Sequence, residues 1–412
     1  MTQWNQVRLK NLCVDGGQYG LNISAENYAE SGTRLLRTTD ISTGELTPEE
    51  YGVFVSDPPE ERFTLEKGDL LLSRSGTPPG QSYLVRAADE GATFAGYLVR
   101  FRPQQGVDPR FLAYVARSTP FQETIRAESV ASTIQNFNAE RYANIEFRAP
   151  DSTEQRRIAD FLDAETARID RLEKHDQKLL GLLGERRTAV IDHEVDAPSR
   201  SLTKLFWKLS VLRDGTHQPP PRVDLGVPLL TARNVSRGAL RLTDLDTHVS
   251  EDDAKLLEKS LRMMAGDVLL SVKGTIGACA VAPAGFPRSV LDRNVALLRP
   301  LPAYSSEWLA FVLRSTGLQD QMRISVTAAA QPGLPLGVIR ELRVPDVALN
   351  EQKGRVDRIS ARCQEIDHVV NRVKRKGSLL SERRQALITA AVTGQFDVTT
   401  ASGRNVTDGV SA

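Results

Sequence analysis

The chain repeats itself. LLGERRTAVIDHEV at 182–195 and LLSERRQALITAAV at 379–392 share eight of fourteen residues at an offset of 197. Self-similarity at nearly half the chain length requires two copies of one architecture rather than a single large domain. The match runs upstream as well. GDLLLSRSGTPPG (68–80) pairs with GDVLLSVKGTIGA (266–278), and RLLRTTDISTGEL (34–46) with PLLTARNVSRGAL (228–240). YLVRFRP (97–103) pairs with VALLRP (295–300), FLAYVARST (111–119) with WLAFVLRST (308–316), and FRAPD (147–151) with LRVPD (342–346). Offsets drift only between 194 and 198, as in diverged copies with short loop insertions.

Each copy has a globular part followed by a helical part. The globular parts carry short aliphatic runs broken by Gly and Pro, which read as strands joined by turns, with one helix near FLAYVARS and WLAFVLRS. Each is an α+β domain long enough to bury its own core. The expected division is 1–150, first globular domain; 151–197, first long helix; 198–347, second globular domain; 348–396, second long helix; and 397–412, a small polar tail that reads as disordered.

The helical parts begin after RAPD and RVPD, where Asp151 and Glu154 have capping-box spacing. In the second copy Val356, Ile359, Cys363, Ile366, Val370, Val373, Leu380 and Leu387 follow alternating steps of three and four, with Gly377 and Arg384 in the two slots that break the series. That is a coiled-coil seam. The first copy carries Ile158, Leu162, Ile169, Leu172, Leu179, Leu183 and Val190 on a raggeder stripe. Two helices of similar length with matching seams are expected to pack antiparallel, holding two related domains at the ends of a rod. Independent linkers, or helices packed on their own domains, are the alternatives.

Bulk composition narrows the class. Hydrophobic residues at 40% and charged residues at 25% are ordinary for a soluble globular protein. No apolar run reaches the roughly 20 residues of a membrane span, and MTQWNQVRLKNL has no apolar leader core. Cys13, Cys279 and Cys363 lack CxxC spacing and read as reduced thiols, so a cytoplasmic location is expected. The net charge of +1 hides an asymmetry: residues 1–150 carry 15 basic and 19 acidic side chains, residues 201–345 carry 18 and 13. A nucleic-acid binder so balanced must cluster its cations or share the phosphate contacts with partners. Two similar heads on a rod suit duplex DNA, whose equivalent groove faces recur about every 34–36 Å.

The motifs resemble those of the specificity subunit of type I restriction–modification systems. The resemblance covers nearly all of residues 1–396 and rests on PDSTEQRRIADFLD, ALNEQKGRVDRI, ERRQALITAAVTGQFDV, LRDGTHQPPP at 212–221, and the two GD-hydrophobic-S-x-x-G loops. AVIDHEV departs from it by lacking the TG that ends the second copy. The resemblance implies two target-recognition domains joined by two long antiparallel coiled-coil helices with pseudo-two-fold symmetry. It implies that each domain reads one half of a split double-stranded DNA target and that the helices set the unread gap. It further implies a non-catalytic chain without its own cofactor. Two modification (methyltransferase) subunits and motor-nuclease restriction subunits would assemble on it, bringing S-adenosylmethionine, ATP and Mg.

Three places in each copy are candidates for DNA contact. After the GD strand come Arg74, Ser75 and Thr77 in one copy and Lys273 and Thr275 in the other; cationic and hydroxyl side chains on a Gly-rich turn can approach a phosphate, and Arg can fork onto guanine. LLRTTDIS and LLTARNVS place Arg37, Thr38 and Asp40 opposite Thr231, Arg233 and Asn234, with Arg–G and Asn–A as the usual groove pairs; strand-end capping by Asp40 and Asn234 is the plain alternative. The openings GGQYGLNIS and RDGTHQPPP bring Gln18, Tyr19, Asn22, His217 and Gln218 to a surface, which the resemblance places near DNA.

Other motifs carry no chemistry. SDPPE (56–60) resembles the D-P-P-aromatic motif of amino-methyltransferases, but Glu60 offers no ring for a flipped base. PDVALNEQK (345–353) spells PD…ExK, yet its carboxylates straddle a helix start and the other copy lacks the lysine. GTPPGQS lacks the Lys-Ser/Thr of a phosphate-binding loop. His175, His193, His217, His248 and His368 show no zinc spacing. An autonomous methyltransferase or nuclease, and a DNA-independent coiled-coil scaffold, are the competing functions.

Overall fold

The computed structural model describes residues 4–41, 45–56, 60–75, 79–130, 136–196, 201–218, 220–236, 238–327 and 333–398. The expected tail thus lies almost wholly outside the described residues. The chain divides into two compact units, 1–176 with 375–412, and 177–374.

Among the described residues both units build the same three sheets, and the second adds a two-stranded pair, Val235–Ser236 with Ala239–Leu240. In the first, a four-stranded antiparallel sheet has the order Gln18–Tyr19, Leu98–Phe101, Leu70–Ser73, Ser82–Leu84. Beside it Thr33–Leu36 pairs antiparallel with Val53–Val55 and parallel with Thr93–Phe94. Asn5–Arg8 pairs with Glu146–Ala149, closing the domain start against its end. The second unit repeats this with Leu209–Asp214, Val295–Pro300, Val268–Ser271 and Cys279–Val281, then His248–Val249, Val227–Leu230 and Val290–Leu291, then Leu202–Lys204 against Arg343–Pro345. Strands of two to six residues follow from the sequence, in which Gly and Pro interrupt every aliphatic run.

The sequence indicated one helix per domain; among the described residues the domains share three, and the second adds Glu251–Ser260. The shared three are Pro109–Arg117, Thr119–Val130 and Ala139–Asn144, matched by Ser306–Arg314, Thr316–Thr327 and Leu336–Glu341. The second of each trio is mostly polar and anchors through few apolar residues, such as Phe121 and Ile125, which hides its periodicity. Burial pushes the Cys13 and Cys279 thiols up to about 12, so both stay protonated at neutral pH.

The long helices are Ser152–Val195 and Leu349–Val392, 44 residues each, about 66 Å at 1.5 Å per residue. Asp151 caps the first by accepting from the N–H groups of Thr153 and Glu154 at 2.9 and 3.0 Å. The TG of the second copy is a stop signal: Gly394 at φ +74° follows the last turn, where the left-handed conformation suits glycine.

Within each unit the two helices pair antiparallel and also pack into the domain core. In the first unit Ile158, Leu162 and Ile169 join Leu387, Ile388, Ala391 and Val392 in one cluster with Phe111, Phe121 and Tyr142. In the second, Ile191 and Val195 meet Ile359, Cys363 and Trp308. Pairing between helices and packing on the domains, set as alternatives by sequence, therefore coexist.

Of the seam residues, Ile158, Leu162, Ile169, Leu183, Ile359, Ile366, Val373 and Leu387 are buried, and Leu179, Val190, Val356, Val370 and Leu380 are half-buried. Leu172 is a correction, since it is 38% exposed. The first helix keeps a heptad through Ile169 and Leu183 that passes instead through Asp176, buried and bonded by Lys376 Nζ at 2.9 Å. Charged residues along the stripes form ion pairs between the helices. Arg384 binds Asp170 and Glu173 in the first unit. In the second, Arg187 binds Asp367 and Arg358 binds Glu194.

Candidate nucleic-acid interface

The GD turn fixes the strand that presents the first candidate loop. Gly68 and Gly266 sit at φ +95° and +86°, and the following aspartates are buried. Asp69 receives Nε and Nη2 of Arg102, each at 2.8 Å; Asp267 receives the same two atoms of Arg299, each at 2.7 Å. Such forked, charge-assisted pairs are the strong class of hydrogen bond. The far end of the loop is tied by glutamine: Gln122 Nε2 donates to the Gly80 carbonyl at 2.9 Å, and Gln319 Nε2 to that of Gly277 at 3.0 Å. The sequence reading passed over both glutamines, although STPFQ and STGLQ align in the two copies.

On this common frame the exposed chemistry differs. In the first unit Arg74 Nε donates to Asn136 Oδ1 at 2.9 Å, and its guanidinium lies 5.0 Å from the Tyr19 ring centroid. Tyr19 Oη accepts from the Ala139 N–H at 2.9 Å. Three predicted or adjacent groups, Tyr19, Arg74 and Ser75, are thus brought together, with Asn136 as a partner the sequence did not signal. Thr77 lies outside the described residues. In the second unit the backbone place of Arg74 belongs to Val272: the carbonyls of both accept from the strand-like return, from Phe137 and Leu334, at 2.8 Å. Lys273 follows it, exposed and without a carboxylate partner among the described residues, beside exposed Thr275.

The second candidate pair needs correction. Asp40 is 4% exposed; its carboxylate accepts from the Arg37 N–H at 2.8 Å and from the Arg37 guanidinium at 2.9 and 3.0 Å. That contact holds Arg37 above its ordinary pKa. Asn234, 2% exposed, accepts from the Thr231 N–H at 2.7 Å and donates to the Arg241 carbonyl at 2.9 Å. Both side chains cap their own turn and neither faces a ligand. Arg37 and Thr231 are drawn into the same caps. Thr38 is half-buried, and Arg233 remains exposed, donating to the Leu245 carbonyl at 3.3 Å.

The domain openings correspond through two glycines. A Cβ on Gly20 would collide with the Phe94 and Ala95 carbonyl oxygens, and one on Gly215 with those of Leu291 and Asp292. The backbone crosses so closely there that only glycine fits. Two residues later Asn22 and His217 occupy equivalent exposed places; His217 Nε2 lies 2.8 Å from Asp214 Oδ2. Gln18 turns its amide back to the Tyr19 carbonyl at 2.8 Å, and Gln218 is exposed.

The PD…ExK resemblance has no common site: Asp346 accepts from Lys208 and Glu351 from Arg355, each at 2.6 Å. Among the described residues no group of His, Cys, Asp or Glu could hold a metal ion, and no helix is long and apolar enough to cross a membrane.

Comparison with known proteins agrees with this architecture. Residues 2–180 match the type I restriction modification DNA specificity domain. Over 243 residues the chain is 22% identical to the type I restriction enzyme EcoKI specificity subunit of Escherichia coli (strain K12), a match covering 55% of this chain and about half, 50%, of that relative. A solved chain from a study of assembly and conformational transition of the type I R-M system superposes with a TM-score of 0.71 at 16% identity, covering 96% of this chain and 99% of that one. The HsdS subunit from Thermoanaerobacter tengcongensis gives 0.51 at 16% identity over 96% and 98%; at such identities the likeness is one of fold. The family match and the shared fold agree: residues 2–180 match a type I restriction modification DNA specificity domain, and the fold shared with the HsdS subunit extends over 96% of the chain.

Proposed function

We propose that this chain is the non-catalytic, sequence-specific DNA-recognition subunit of a cytoplasmic type I complex. It reads a divided target, one half per recognition domain, with the paired helices as the link. Modification and restriction subunits dock on it and bring S-adenosylmethionine, ATP and Mg; the chain itself needs no cofactor. One observation supports this most: the two copies share the residues that build their frame but differ along the loops that the frame presents. Asp69/Asp267, Gln122/Gln319 and Gly20/Gly215 repeat, whereas Arg74 faces Val272, Ser75 faces Lys273, and Asn22 faces His217 in the comparison of copies. A duplicated frame with divergent tips is what two different half-sites require, since base edges are read by side-chain type.

Methylome sequencing of the source strain tests this. A bipartite motif with two short specific parts and an unread gap should disappear when the gene is deleted and return on complementation. An unchanged methylome would reject the proposal.

A further inference from the structure

One arginine in each copy has no role in the account so far. Arg117 and Arg314 end equivalent helices, Pro109–Arg117 and Ser306–Arg314. Both are half-buried, and neither side chain has a hydrogen bond or ion pair among the described residues. Burial lowers the pKa of each guanidinium. Asp367 and Asp170 lie near enough to be felt but bond to other arginines; a cation partly stripped of water with no carboxylate bonded to it is costly, yet both copies keep it at one place.

The surroundings say what would complete it. Arg314 opens into a cleft of about 960 Å³ between the second recognition domain and the paired helices. Its lining includes Arg233, Thr275 and Arg187, the last already paired with Asp367, and no Asp or Glu. Arg314 is held in place by the Phe311 ring, 5.4 Å from its guanidinium, and by Gly238, where a Cβ would stand 2.9 Å from Nη1. In the first unit Arg117 borders a smaller cavity of about 180 Å³ with Arg86 and Arg110. The one acid there, Asp163, already accepts from Arg110 and Tyr114 at 2.7 Å.

We propose that Arg314 and Arg117 mark a phosphate-binding cleft in each unit, and that the backbone of duplex DNA supplies the phosphate. This rests on the DNA-recognition reading above and assigns to it contacts that position the duplex without reading sequence. Thr275 and Arg233, on the candidate reading loops, line the same cleft as Arg314, so a strand entering the loops passes the arginine.

The test uses the full chain, with anisotropy titrations of a cognate and a scrambled duplex between 50 and 200 mM salt. Arg314→Gln and Arg117→Gln should each weaken both duplexes by the same factor. Each should lower the log–log salt slope by about 0.9, so that affinity falls about 3-fold less across that range. Arg314→Lys keeps the charge and should keep the slope. Wild-type slopes in both Gln variants, with duplex binding intact, would overturn the cleft and leave DNA recognition standing. A second arm measures Tm with and without inorganic phosphate. If the wild type bound no duplex yet phosphate raised its Tm, and Arg314→Gln abolished the rise, DNA recognition would fall. The cleft would then be assigned to a free anion, overturning the DNA source. No phosphate effect and no duplex binding would overturn both.

Discussion

Arg187 grips Asp367 with two hydrogen bonds, Nη1–Oδ1 at 2.6 Å and Nη2–Oδ2 at 2.9 Å, from one long helix to the other. In the repeat alignment these positions correspond to Arg384 and Asp170, which are also paired. The same bond is therefore written twice, once in each unit.

The Arg187–Asp367 bridge should be worth little in water but measurable. Both side chains are partly exposed, 34% and 44%, so a double-mutant cycle with Arg187→Ala and Asp367→Ala in urea unfolding should give a coupling of about 0.5–1 kcal/mol. A coupling of zero would mean that the fork does not persist in solution.

Acid should weaken the second unit through Glu194. The Arg358 guanidinium hydrogen-bonds to this carboxylate, at 2.9 Å for the shortest contact, and holds its pKa below the usual value. A carboxyl depressed in the folded state adds stability that is complete above its unfolded pKa, about 4.3, and is lost as pH falls through the folded pKa. Denaturation from pH 6 to pH 3 should show a steeper loss for the wild type than for Glu194→Gln. Parallel curves would contradict the assignment.

The two leucine-like positions of the first seam should behave unequally. Ile169 is 3% exposed and Leu172 is 38% exposed. Ile169→Ala should cost about 2–4 kcal/mol and Leu172→Ala about 1 kcal/mol or less, read by chemical unfolding. Equal losses would return Leu172 to the seam.

Divergent loop tips predict separable half-sites. Arg74→Ala should reduce binding to duplexes altered in one half of the target, and Lys273→Ala to those altered in the other, each by about 1–3 kcal/mol if the lost contact is to a base. Competition with half-site variants measures this. Equal loss at both halves for either variant would argue against separate readers.

Gly20 and Gly215 should tolerate no side chain. Gly215→Ala places a methyl group against the Leu291 backbone and should destabilise by about 1–3 kcal/mol or more, seen as a lower Tm. An unchanged Tm would show that the crossing strand can yield.

The sequence by itself determined the duplication, the α+β class of each copy and the apolar stripes of the long helices. These are carried by repetition and periodicity, which need no knowledge of what lies opposite. It could not show that Asp176 belongs to the seam, because a charged residue qualifies only once Lys376 stands beside it. Nor could it separate Asp40 and Asn234 from base readers. Residue type gives hydrogen-bonding capacity, whereas the fold of the surrounding turn decides which donors consume it. Gln122, Gln319, Arg117 and Arg314 were visible as matches between the copies, but their meaning depends on a carbonyl or a cleft supplied by segments distant in the chain. Local order was legible in the residues; the partners of each polar side chain were fixed only when tertiary packing chose its neighbours.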